Sequence, residues 1–129
     1  MTRDPRVLLV DGDELVRALM SKALLDRDVF CDSAVSARDA LAQLAARPYA
    51  LVLLHLEMEG AESVLDAIRA MSFPRRPIVL VTAEVRSPKD TIDTELVQII
   101  IRRPLRVAEV AGMIRACLDF VPKSEDDAS

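Results

Sequence analysis

Tryptophan is absent from the 129 residues, and aromatic side chains supply only 3% of them. Platforms that stack single-stranded bases need several such rings, so that class of function is excluded. Nor is there an excess of positive charge: 17 basic side chains stand against 21 acidic ones, a formal net charge of −4. A general nucleic-acid binder needs a basic face to displace phosphate counterions, and no nucleic acid is expected as a ligand. With three glycines, a phosphate-cradling loop is hard to place. No nucleophile–base pair stands at motif spacing, so the chain is not expected to be an enzyme. The two cysteines, Cys31 and Cys117, have neither metal-ligand spacing nor a disulfide pattern. Both are expected as small buried hydrophobes in a reducing compartment. The longest apolar run, at 49–54, is far short of the ~20 residues that cross a bilayer. The first five residues, Met1-Thr2-Arg3-Asp4-Pro5, carry no apolar signal core. A cytoplasmic protein without membrane attachment is expected.

What the chain does hold is a core. Hydrophobic residues make up 51% and charged ones 29%, a balance that fits one folded domain of this length and excludes bulk disorder. Residues 7–10 form a short β-rich apolar run stopped by Asp11-Gly12-Asp13, which predicts a strand buried on both faces. From Glu14 the period changes to three and four: Leu15, Val16, Leu19, Met20, Ala23 and Leu24 form one helical stripe, with Asp13 as N-cap. Residues 29–35 predict a second strand. Ser36 then caps a helix with the stripe Ala40, Leu41, Leu44 and Ala45, closed by Arg47-Pro48. Residues 50–54 are the most apolar strand and so the expected centre of the sheet. A short helix follows on Val64, Leu65, Ile68 and Met71, closed by Phe73-Pro74.

Residues 78–81 predict a fourth strand ending at Thr82, and 97–101 a fifth, stopped by Arg102-Arg103-Pro104. Between them, 87–96 is weakly patterned, with only Ile92 and Leu96 at helical spacing. The last helix is the clearest, on Val107, Val110, Ala111, Ile114, Cys117, Leu118 and Val121. Residues 122–129 are polar and acidic and read as a flexible tail or the start of a linker. Strands alternating with helices five times predict an α/β domain, a parallel sheet covered on both faces. Ligands of such sheets gather beyond the carboxyl ends of the strands, which here hold Asp11, Gly12, His55, Glu57, Thr82 and Arg103.

Four segments at those ends carry a family resemblance: Val7-Leu8-Leu9-Val10-Asp11, Tyr49-Ala50-Leu51-Val52-Leu53-Leu54, Val79-Leu80-Val81-Thr82-Ala83 and Arg103-Pro104-Leu105. From about Arg6 to Phe120 the sequence resembles the receiver domain of bacterial two-component response regulators. The resemblance implies a three-layer, doubly wound (βα)5 flavodoxin-like fold, sheet order 2-1-3-4-5, with the domain spanning residues 1–121. It also implies a site at which several positions depart from the family. The family accepts a phosphoryl group on an Asp where this chain has His55. Its Mg²⁺-binding acidic pair is here Asp11-Gly12, its Lys is Arg103, and its following proline, cis in the family, is Pro104. The switch hydroxyl is kept as Thr82, the aromatic switch position is Ile100, and Glu95-Leu96-Val97 replaces a glycine-containing turn.

An acyl phosphate needs a carboxylate nucleophile, and imidazole cannot form that mixed anhydride. Losing a carboxylate ~4 Å from a divalent ion forfeits about 8 kcal/mol of attraction even at an effective dielectric near 20. Mg²⁺ binding is therefore expected to be lost or very weak, and no other cofactor is expected. Asp13 is a possible substitute ligand, but capping is its more economical role. The leading expectation is a receiver-like signalling domain that acts through protein contacts without phosphorylation. Its partner would be a histidine kinase, a regulator or an output domain. The face used by the family is the fourth helix, fifth strand and fifth helix, here with Glu95, Arg102, Arg106, Glu109 and part of Met113. A homodimer through the same face is equally open. Two alternatives remain: a sensor of a metal or an anion in the altered pocket, or phosphorylation on an unorthodox acid such as Asp11 or Glu57. For His55 the plain reading is a histidine bonded to Asp11 or Thr82. A pH sensor, or a metal set of His55, Glu57 and Asp11 opposed by the nearby Arg103, are the sharper ones. Arg103 itself is either a surface cation or a bidentate partner of Asp11 or Glu57, which would hold the site in one state.

Overall fold

A computed structural model describes residues 6–72, 75–84 and 95–120. In chain order the elements are β1 (Arg6–Val10), α1 (Glu14–Leu25), β2 (Phe30–Ala34), α2 (Ala37–Ala46), β3 (Leu51–His55), α3 (Ala61–Arg69), β4 (Ile78–Ala83), β5 (Val97–Arg102) and α4 (Val107–Asp119). The five strands make one parallel sheet in the order β2-β1-β3-β4-β5. The expected fold and strand order are therefore those observed, with the most apolar strand, β3, at the centre. The weakly patterned stretch at 87–96 lies mostly outside the described residues, as do Phe73-Pro74, Val121 and the tail at 122–129. No helix among the described residues is long and apolar enough to cross a membrane.

Each strand feeds two cores because its side chains alternate between faces. Leu8, Val10, Val52, Leu54, Val79 and Val81 pack under α2 and α3 with Ala40, Val64, Leu65 and Ile68. Val7, Leu9, Leu51, Leu53 and Leu80 pack under α1 and α4 with Met20, Leu24, Val110, Ala111, Ile114 and Leu118. Asp13 caps α1, accepting from the N–H groups of Leu15 at 2.9 Å and Val16 at 3.3 Å. Ser36 caps α2 through Asp39 N–H at 3.1 Å. Gly60 has a backbone requirement: its φ is +84°, and a Cβ there would lie 2.7 Å from Ala37 Cβ, so α2 and α3 meet where only glycine fits.

Some stripe residues face water instead. Leu15 is 65% exposed and Leu19 46%, because α1 turns Val16, Met20 and Leu24 inward and the residue before each sits about 100° round the helix. Ala45 is exposed on α2 for the same reason. The cysteines are free and only half buried, with Cys31 Sγ 3.5 Å from Ser21 Oγ. Burial raises both thiols above their usual pKa, which keeps them protonated and unreactive.

One irregularity sets the geometry of the sheet edge. Pairing of β4 with β5 runs Val79↔Val97 and then Leu80↔Ile99, so β5 carries one extra residue, Gln98. The bulge reverses the alternation: Val97 enters the core under α3, whereas Ile99 and Ile101 pack on the core under α1 and α4. Gln98 repairs the interrupted ladder, its Oε1 accepting from Val79 N–H at 2.8 Å. Replacing it with leucine strands a buried N–H, so Gln98→Leu is expected to destabilise the domain by about 1.5 kcal/mol in urea denaturation. An unchanged midpoint would show that the amide side chain is dispensable to the bulge.

At the opposite end of the sheet, buried Tyr49 donates its hydroxyl to Asp32 Oδ2 at 2.7 Å. Burial, and then this bond to a carboxylate, push the phenol well above its usual pKa of about 10. The fold thus favours the neutral phenol. Its contribution to stability is complete below pH ~10 and is lost as the pH rises beyond that. Since Tyr49 is the only tyrosine, phenolate absorbance is expected to appear in alkali only together with loss of helical circular dichroism. Ionisation near pH 10 in a still-folded chain would contradict this.

Candidate functional site

Strand parity assembles the site. Asp11 continues the face of Val7 and Leu9, His55 that of Leu51 and Leu53, Thr82 that of Leu80, and Arg103 that of Ile99 and Ile101. All four chain positions reach the carboxyl end of the sheet on the side of α1 and α4. Backbone bonds fix these ends: Asp11 N–H donates to Ala34 O at 3.2 Å, Leu56 N–H to Thr82 O at 2.9 Å, and Arg103 N–H to Ala83 O at 2.8 Å. His55 and Thr82 are direct partners across the β3–β4 ladder. Without the bulge at Gln98, Arg103 would leave the sheet on the other face.

The dominant contact is an ion pair between Arg103 Nη2 and Asp11 Oδ2, both side chains almost wholly buried. It is a single contact rather than the two-pronged fork considered from the sequence. The other Asp11 oxygen accepts the N–H of Asp13 at 2.9 Å, and Arg17 Nη1 donates to the Asp11 carbonyl at 2.8 Å. The Asp13 side chain is occupied in capping α1, and Asp13 meets the pair only through its backbone N–H. The peptide between Arg103 and Pro104 is cis.

The ring of His55 lies between two carboxylates. Its Nδ1 is 3.5 Å from Asp11 Oδ1 and its Nε2 is 3.5 Å from Glu57 Oε1, ion-pair separations rather than good hydrogen bonds. His55 Nε2 and the hydroxyl of Thr82, a residue 1% exposed, are buried without a hydrogen-bond partner among the described residues. Both line a small crevice with Asp11, Arg17 and Met20. Glu57 turns toward the end of β4, where its carboxylate oxygens each lie 3.3 Å from Glu84 N–H. Sequence reasoning missed Glu84 and Arg17. Glu84 stands one residue beyond β4, where no periodicity speaks, and its only signal is a carboxylate two residues after Thr82. Ile100, the aromatic-switch position, faces away from Ile99 and Ile101 and is 40% exposed.

These donors do not fit Mg²⁺, which wants oxygen ligands in octahedral array. Gly12 brings no side-chain oxygen, Asp11 is engaged by Arg103 and by Asp13 N–H, and His55 offers nitrogen. Gly12 is not required by the backbone either, since a Cβ there would meet nothing closer than Val35 O at 3.7 Å.

No protein-family model matches the chain, and no curated protein does. Solved structures do. The signal receiver domain of a putative LuxO repressor protein from Vibrio parahaemolyticus superposes with a TM-score of 0.82 at 20% identity, over 98% of either chain. A CheY-like response regulator receiver domain from Methanospirillum hungatei gives 0.79 at 23% identity, over 92% of this chain and 98% of that one. An orphan response regulator of H. pylori gives 0.76 at 21% identity, over 92% and 99%. The likeness establishes the fold.

Arg103→Ala leaves Asp11 buried beside unfilled space and is expected to cost about 3 kcal/mol in urea denaturation. The double variant Asp11→Asn/Arg103→Ala is expected to recover at least about 1 kcal/mol of the summed single losses. Strict additivity would show that the pair contributes nothing as a pair.

Proposed function

We propose that this chain is a receiver-like module of signal transduction that acts by protein contact in one fixed state, neither accepting phosphate nor catalysing a reaction. The observation that supports this most is the Arg103–Asp11 ion pair. It engages the remaining acid of the family's metal pair with a permanent cation and needs no phosphoryl group to draw Arg103 inward. His55 at the end of β3 adds the second support, because it cannot form an acyl phosphate. On this reading Mg²⁺ binding is lost or very weak, and the domain works in the cytoplasm without nucleic acid.

The partner is a histidine kinase, a regulator or an output domain, or a second copy of the chain. The surface assigned to it is the family's output face. Of that face, Glu95, Arg102, Arg106 and Glu109 are exposed and Met113 half buried, with Arg106 and Glu109 paired at 3.3 Å. Residues 85–94 lie outside the described residues.

Amide NMR with millimolar Mg²⁺ and beryllofluoride, a mimic of the acyl phosphate, tests the reading. The amides of Gly12, His55, Thr82 and Arg103 are expected to stay in place. A saturable shift spreading from them into β5 would show a working phosphate switch and end the proposal. The double variant Gly12→Asp/His55→Asp, which restores both acids where the backbone has room, is expected to gain a response.

A further inference from the structure

His55, Glu57 and Glu84 bring a ring nitrogen and two carboxylate oxygens within 4.8 Å of one another at the ends of β3 and β4. Three features set this group apart from a casual cluster of acids. One is the orphaned His55 Nε2, shielded from solvent and lacking any hydrogen bond among the described residues. Another is its distance to Glu57 Oε1, 3.5 Å. That is long for a hydrogen bond, whose usual length is ~2.9 Å. It is close to the ~3.3 Å edge between two ligands that share a four-coordinate ion at ~2.0–2.1 Å. The third is the backbone of Glu84, whose N–H lies 3.3 Å from both Glu57 oxygens and so holds the two acidic residues against each other.

We propose that His55 Nε2, Glu57 and Glu84 form a binding site for one divalent transition-metal ion of the Zn²⁺ class. One imidazole with two carboxylates is a borderline donor set, which suits Zn²⁺, Co²⁺ or Ni²⁺ and not the hard Mg²⁺. Two carboxylates match the charge of a divalent ion. Arg103, the cation that the sequence set against such a site, is turned to Asp11. Asp11 is correspondingly not a ligand, and Glu84 takes the place that the sequence suggested for it. Arg102 approaches Glu84 at the backbone carbonyl, 3.4 Å from Nη1. Thr82, opposite His55 in the ladder, keeps a buried hydroxyl with no hydrogen-bond partner among the described residues. The site does not depend on the phosphate-independent reading, and either can fail while the other stands.

The chain has a single histidine, so its ring nitrogens report unambiguously. Zinc chloride is titrated into the untagged, ¹⁵N-labelled protein while the His55 ring resonances and the thermal midpoint are followed. The expected result is a shift that saturates at one equivalent, accompanied by a higher midpoint, because binding to the folded state alone stabilises it. Glu57→Gln and Glu84→Gln are each expected to weaken binding at least about tenfold, while the distant Asp66→Asn leaves it unchanged. Glu84 is exposed, so its variant keeps the fold, which circular dichroism checks. Ring resonances that ignore millimolar zinc, or that respond equally in Glu57→Gln and Glu84→Gln, would overturn the proposal.

Discussion

The register of β5 against β4 is the constraint on which the site depends. Side chains alternate along a strand, so a one-residue slip sends every later residue to the opposite face. The extra residue at Gln98 makes that slip once, early in β5, and everything beyond inherits it. Ile99 and Ile101 become core residues under α1 and α4, and Arg103 emerges beside Asp11 rather than on the side of α3. The site is thus built by a bulge five residues away, which in turn is held by one side-chain amide accepting an N–H.

Burial gives the pair its weight. An exposed Arg–Asp contact contributes little after screening and side-chain ordering. Here both partners are almost wholly buried, and neither can be removed without stranding the other's charge. Asp11 is further committed by the N–H of Asp13, and its own carbonyl by Arg17. A carboxylate so occupied has little left for a metal ion. The other nitrogen of His55, Nε2, faces Glu57, with Glu84 close by.

Most of the fold was legible because long-range order follows from local pattern: apolar runs ended by turn residues gave strands, and three-four spacing gave helices. The caps were equally legible, since Asp13 and Ser36 stand immediately before their helices with side chains suited to orphan N–H groups. Leu15 and Leu19 were not. Periodicity reports that a stripe exists, but how wide a stripe is buried depends on how closely α4 and the sheet approach α1. The bulge at Gln98 was invisible for a related reason: a polar residue in an apolar strand looks like ordinary alternation. Strand ends brought Asp11, His55, Thr82 and Arg103 to one place. His55 lies between Asp11 and Glu57, two acids the sequence had put beside it, but the arrival of Glu84 was set by side-chain reach and was missed.

The glycine at position 12 bears on what the site can hold. Glycine is required where the backbone is left-handed or a close approach leaves no room for a Cβ. It is needed for neither, because a Cβ at Gly12 meets only an ordinary contact. Gly12 is therefore a position at which the scaffold would accept a side chain. Gly12 and His55 offer no carboxylate oxygen, and Arg103 engages one oxygen of Asp11. What is left on the other side of the imidazole is a nitrogen facing two carboxylates. The sheet geometry shared with the structural neighbours thus carries, at the ends of β3 and β4, one imidazole and two carboxylates.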